Sequence, residues 1–207
     1  IKFASSMSFT TIPGATSDDQ VTYRGTEGID AIAFANTTGN QYVESFGGVD
    51  TVTLLNSGSA HYAGLLSNSS FKLGTGADTL QSTSTTASTY SSIFVNGNAG
   101  VDTLNFGANA ADAVIGSTVM GGADADTITT STANISKFNG NKGADTLNIS
   151  RAATNASVFG GQGTDTLNIT AGMTGSLVNG DNGDDRFTAT ANNLTTTSVK
   201  GGAGTDI

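Results

Sequence analysis

The sequence predicts an all-β chain wound as a parallel β-solenoid, a β-roll or β-helix with about nine coils of roughly 20 residues. Three observations carry this. A glycine-turn phrase ending in aspartate returns along the whole chain, with its aspartates at Asp30, Asp50, Asp78, Asp102, Asp126, Asp145, Asp165, Asp185 and Asp206, at steps of 20, 28, 24, 24, 19, 20, 20 and 21 residues. An apolar register is locked to those aspartates. Seven residues before them stand Tyr23, Val43, Phe71, Val95, Val119, Phe138, Val158, Val178 and Val199, and two after them Ile32, Val52, Leu80, Leu104, Ile128, Leu147, Leu167 and Phe187. Finally, apolar and polar residues alternate after each aspartate, which is the period of a strand with one buried face. Four after the aspartate the rule weakens: Phe34, Leu54, Phe106, Ile149 and Ile169 fit, Ala189 is marginal, and Ser82 and Thr130 do not fit.

Glycine sits two before the aspartate in every copy except one, where Asp124 stands instead; another glycine sits five before it except at Ser45 and Leu73. Fixed glycines mark backbone at positive φ or in close approach to a neighbour.

Along the chain, residues 1–22 read as an irregular cap or degenerate first coil, in which Ile12, Gly14, Asp19 and Val21 imitate the phrase at half the spacing. Residues 23–207 are the solenoid repeats, read as continuing into a longer repeat protein. The longest step, from Asp50 to Asp78, carries extra residues around Leu54 to Ser70, including the only histidine, His61, beside Tyr62. Such insertions become edge loops. The next two coils have slack in Ser82–Ser91 and Gly107–Gly116, and from Asp126 onward the coils are most alike. Each coil is expected to hold two short strands, one after the aspartate (Thr166 to Ile169) and one before the glycine turn (Ser157 to Phe159). A polar turn such as Ala152–Ala156 or Ala171–Gly175 links them.

Composition narrows the chemistry. The chain has 207 residues, one proline, no cysteine, 12% charged residues and a net charge of −9. Without cysteine there is no disulfide framework or thiol chemistry. No apolar run reaches membrane-spanning length, and no basic stripe marks a nucleic-acid partner. In register, the aspartates form a column about 4.8 Å apart, where like charges repel by roughly 1 kcal/mol in water and about 3–4 kcal/mol at intermediate dielectric. A hard cation between turns would relieve that, and calcium prefers carboxylate and carbonyl oxygens. The alternative is that each aspartate caps its own turn by accepting backbone N–H bonds.

Gly160-Gly161-Gln162-Gly163-Thr164-Asp165-Thr166-Leu167 resembles the RTX, or haemolysin-type, calcium-binding nonapeptide, as does Gly201-Gly202-Ala203-Gly204-Thr205-Asp206. The match is partial at Asp102, Asp145 and Asp185, whose second glycine is Asn98, Asn141 or Asp181, and at Asp126, where Asp124 replaces the last glycine. The resemblance implies a parallel β-roll with calcium between successive turns. The implied ligands are Asp102, Asp126, Asp145, Asp165, Asp185 and Asp206, with Asp124 and the carbonyls of Gly160, Gly161, Gly163, Gly180 and Gly183. Family repeats recur every nine residues with ions on both edges; a step near twenty leaves one edge only.

The functional expectation is a non-enzymatic structural segment of an extracellular surface protein (surface layer, adhesin or fibre), stabilised by calcium. A virion fibre or decoration protein reads the same way, and the RTX carrier module of a secreted enzyme is a further alternative. No nucleophile elbow, zinc spacing or phosphate loop is present, and His61 has no metal or cysteine partner in the sequence. Self-association or neighbouring repeats, and a surface glycan, are the expected partners. The outward pairs Thr51/Thr53, Thr103/Asn105, Thr127/Thr129, Thr146/Asn148 and Thr166/Asn168 offer an ice- or carbohydrate-binding face, or simply ladders suited to stacked strands.

Overall fold

The structure, a computed structural model, describes residues 8–12, 21–35, 40–55, 65–83, 86–190 and 194–207. The coil from Asp145 to Asp165 shows the plan. Thr146–Ile149 leaves the aspartate as a strand of the first sheet, A. Ala153–Thr154 makes a short strand of a second sheet, C. Ser157–Gln162 makes a strand of sheet B, which carries the chain into the glycine turn and on to the next aspartate. Repetition gives nine strands in A, nine in B and seven in C among the described residues, all paired in parallel with the copy one coil away. No helix occurs among the described residues.

The solenoid class is therefore as the register predicts, but from Thr51 onward each coil has three strands rather than two. The supposed polar turn contributes a buried column, Leu66, Tyr90, Val114, Ala133, Ala153 and Met173, in register through sheet C. Side chains from alanine to tyrosine occupy that column and its strands are only two or three residues long. Neither period nor composition marks so short an element.

The two apolar columns of the sequence face each other inside. Val43, Phe71, Val95, Val119, Phe138, Val158 and Val178 line sheet B, and Ile32, Val52, Leu80, Leu104, Ile128, Leu147 and Leu167 line sheet A, all buried. Aromatic rings fill the wider coils edge to face: Tyr23 on Phe34, Phe34 on Phe71, and Tyr90 on Phe106. The two misfits four after the aspartate are buried as well. Ser82 accepts the Tyr90 hydroxyl at 2.6 Å, and the Thr130 hydroxyl donates to the Thr132 carbonyl at 3.3 Å. Each polar atom has a partner, so its burial carries no orphan penalty.

At the amino-terminal end, Ser8–Ile12 pairs in sheet A with Ala31–Ala35, with a register irregularity between Phe9 and Ile12. Val21–Arg24 pairs in sheet B with Gln41–Glu44. The rest of the expected cap, with Gly14 and Asp19, lies outside the described residues, as do His61 and Tyr62 of the long insertion.

Candidate functional site: a buried aspartate ladder

The nine aspartates are in line, as the spacing predicts, but the line runs inside the wall. Asp30, Asp50, Asp78, Asp102, Asp126, Asp145, Asp165 and Asp185 are all at most 1% exposed. Each carboxylate accepts the backbone N–H of the aspartate one coil before it: Asp50 Oδ1 from Asp30 at 2.8 Å, Asp78 from Asp50 at 2.7 Å, Asp145 from Asp126 at 2.8 Å, Asp206 from Asp185 at 3.0 Å, and so at every step between. From Asp50 onward the caps are therefore between coils, whereas Asp30, first in the column, accepts the N–H of Thr26 in its own turn at 2.5 Å. At this corner the chain swings from sheet B to sheet A, and the backbone ladder lacks an acceptor for that one N–H. The side chain supplies it, while the aspartate's own carbonyl accepts the N–H that opens the next sheet A strand, as Asp145 does from Thr166 at 2.8 Å.

The ladder ignores coil length. Steps of 19, 24 and 28 residues close it at 2.7–2.8 Å alike. The insertions are absorbed elsewhere; the slack at Gly107–Gly116 holds a turn in which Asp112 accepts the N–H groups of Ser88 and Asn109 at 2.8 and 2.9 Å.

The second oxygen of the ladder is different. Oδ2 of Asp50, Asp78, Asp102, Asp126, Asp145, Asp165 and Asp185 is buried with no hydrogen-bond partner. The glycine five before the aspartate, present in every coil except those of Asp50 and Asp78, packs directly against that oxygen. A Cβ on Gly97, Gly140, Gly160 or Gly180 would lie 2.1–2.4 Å from the Oδ2 of its own coil's aspartate and 2.3–2.6 Å from the carbonyl oxygen of the equivalent glycine one coil on (Gly121, Gly160, Gly180 and Gly201). This glycine is thus a matter of close approach. Burial raises the carboxyl pKa values, reinforced at several coils by neighbouring carboxylates and outweighing the N–H bond that lowers them: to about 6 at Asp50 and Asp145, about 7 at Asp102 and Asp165, and about 8 at Asp126. Asp78 and Asp185 shift upward for the same reason.

Of the residues singled out for metal, the fold brings together Asp102, Asp126, Asp145, Asp165, Asp185 and Asp206 as one column, with the carbonyls of Gly160 and Gly180 against it. Gly161, Gly163 and Gly183 lie on the outer turn at positive φ. Asp124 is exposed on that turn and accepts the Gly100 N–H at 3.2 Å. Calcium takes about six to eight oxygens. Each coil offers one unpartnered carboxylate oxygen and one glycine carbonyl, and among the described residues no three His, Cys, Asp or Glu side chains converge. What the described fold shows at these positions is a hydrogen-bonded spine.

Two features escaped the sequence reading. One is a second ladder at the corner between sheets C and B, made of serines. Ser117 Oγ accepts the Ile93 N–H at 3.1 Å, Ser136 Oγ that of Ser117 at 3.2 Å, and Ser176 Oγ that of Ala156 at 3.1 Å. In a chain so rich in serine, these do not stand out. The other is an alternation four residues before the aspartate. Phe46, Asn98, Asn141 and Asp181 take φ of 69–76°, and between them Gly74, Gly122, Gly161 and Gly202 take φ of 97–131°. A Cβ on any of those glycines would sit 1.9–2.3 Å from the carbonyl oxygen of the residue one coil before it. Coils therefore alternate in kind, and the true period of the outer turn is two coils. The signal was in the sequence, where the second glycine of the phrase is missing from every other copy from Phe46 to Gly202.

On sheet A the outward threonines and asparagines are in register. Asn168 Nδ2 donates to Asn148 Oδ1 at 2.9 Å and Asn148 Nδ2 to Thr129 Oγ1 at 3.2 Å, the pattern of a self-satisfied ladder. No family model, curated protein or solved structure matches the chain.

Proposed function

We propose that the chain is a non-enzymatic, rigid structural segment of an extracellular protein, in a surface layer, adhesin, fibre or virion decoration. The observation that supports this most is the unbroken aspartate ladder. One side-chain bond per coil ties Asp30 to Asp206, with two flanking parallel sheets of the same length, so the coils are locked into one rod. Among the described residues, the ladder aspartates with raised pKa values are buried in that rod. Protease shaving of intact cells or particles, followed by an antibody to residues 86–207, tests the location. Signal lost on shaving supports the reading, and signal found only in the cytoplasm overturns it.

Calcium is the second reading, favoured by the row of unpartnered Oδ2 atoms beside glycine carbonyls and by the resemblance to RTX repeats. It requires more oxygens than the described fold converges. Thermal unfolding followed by circular dichroism, in chelator and then in millimolar calcium, decides it. A large upward shift with calcium supports a metal at the ladder; an unchanged midpoint leaves the hydrogen-bonded spine as the whole account.

A further inference from the structure

We infer that the outer face of sheet B carries a row of notches that binds a neutral polysaccharide. The row follows from the two-coil alternation. Asn96, Asn139 and Asn179 project from the same coils as Asn98, Asn141 and Asp181, and the coils between carry Met120, Phe159 or Lys200 with a bare glycine. At the turn position four before the aspartate, side chains thus stand on every second coil and a glycine lies between them. The amides are held upright from within. Asn96 and Asn139 accept the N–H groups of Asn98 and Asn141, each at 3.1 Å, and Asn179 donates to Asp181.

The best-formed notch is a groove of about 450 Å³, with Gly161 as floor, Asn139 and Asn141 on one side, and Asn179 and Asp181 on the other. That volume is in the range of ligand sites. Its chemistry selects the ligand. Amides both donate and accept, which matches hydroxyl groups that do the same. The only charged residues lining it, Lys142 and Asp181, are of opposite sign, and the chain's net charge of −9 disfavours a polyanion. Phe159 stands in the asparagine column between Asn139 and Asn179, half-buried, with Lys137 Nζ 5.2 Å from its ring centre. Notches two coils apart recur at about 9.6 Å. A chain-like ligand with units at a similar step engages several at once, which multiplies weak single contacts. This holds whether or not the ladder takes a metal.

The test is titration of the ¹⁵N-labelled chain with cellohexaose and chitohexaose, with heparin as the anionic comparison. Shifts confined to the sheet B face between Asn96 and Gly202, with Asn139–Asn182 among them, are expected. Gln162→Ala, at an exposed rim position, and Asn179→Ala should each weaken binding about five-fold, the loss of one hydrogen bond. Asn168→Ala on sheet A should not. Circular dichroism confirms that each variant is folded, and Gln162→Ala touches no hydrogen bond of the fold. The inference is overturned if neither sugar shifts the groove, if shifts fall on sheet A, if both groove variants bind like the parent, or if heparin binds more tightly than the neutral sugars.

Discussion

At the scale of the residue, the ladder aspartate does two jobs with two oxygens, and substitutions separate them. Asp145→Ala leaves the Asp126 N–H buried without an acceptor, and should destabilise by about 1–3 kcal/mol. Asp145→Asn keeps one acceptor oxygen and replaces the orphaned Oδ2 with an amide that has protons to give. It should be about as stable as the parent below pH 3.8, where both side chains are neutral, and more stable at pH 8, the gap opening between pH 3.8 and about 6 as the parent comes to bury a charge. Chemical denaturation of the pair at both pH values checks this. A calcium site would reverse the second result, because asparagine is the poorer ligand, and Asp145→Asn would then lose stability in calcium. The aspartate column was legible in the sequence because its spacing repeats. Its inward aim was not. The glycine five before most of the aspartates packs against the inward carboxylate, but Asp50 and Asp78 turn inward just as far with Ser45 and Leu73 in that place, so no single residue marks the aim in sequence.

At the scale of the element, the corner after sheet C shows how loosely sequence and conformation can be coupled. Asn68, Ser92, Gly116, Ile135, Asn155, Gly175 and Thr196 occupy equivalent places there, all at φ of 49–61°. A Cβ on Gly116 would meet nothing nearer than 4.0 Å, so space is not the constraint and only the left-handed backbone is. Ile135 is the worst of these residue types for that conformation, and its side chain is 67% exposed, so it recovers little by burial. Ile135→Asn should stabilise by about 1 kcal/mol, read as a rise in melting temperature. An unchanged or lower midpoint would mean the strain is relaxed elsewhere. With such mixed occupants, this corner and the short strand before it had no motif to betray them, whereas the sheet A and sheet B strands were legible from their alternation.

At the scale of the whole molecule, the ladder couples folding to pH. Burial raises the carboxyl pKa values from 3.8 to between about 6 and about 8. The native state therefore holds protons that the unfolded chain releases. This stabilisation is complete below pH 3.8, declines as pH rises, and is gone above about pH 8. In chelator, the melting temperature should fall steadily from pH 4 to pH 8. A rise over that window would show that the carboxylates are better satisfied charged than the ladder allows. Coil number should matter by parity as well. Deleting residues 146–165 sets Asp181 directly after Asn141, so a side chain meets a carbonyl where Gly161 had none. Deleting residues 146–185 sets Gly202 there instead. The longer deletion should leave the more stable protein, judged by urea midpoint.

That parity also bears on how such an array can change over generations. Recombination between copies of the repeat in the gene would be tolerated when it inserts or removes an even number of them, close to forty codons at a stroke. An odd exchange would leave two like copies side by side at the junction and would need a compensating change to glycine there. The heritable unit of length in this protein is thus the pair, although the eye that scans its text sees only singles.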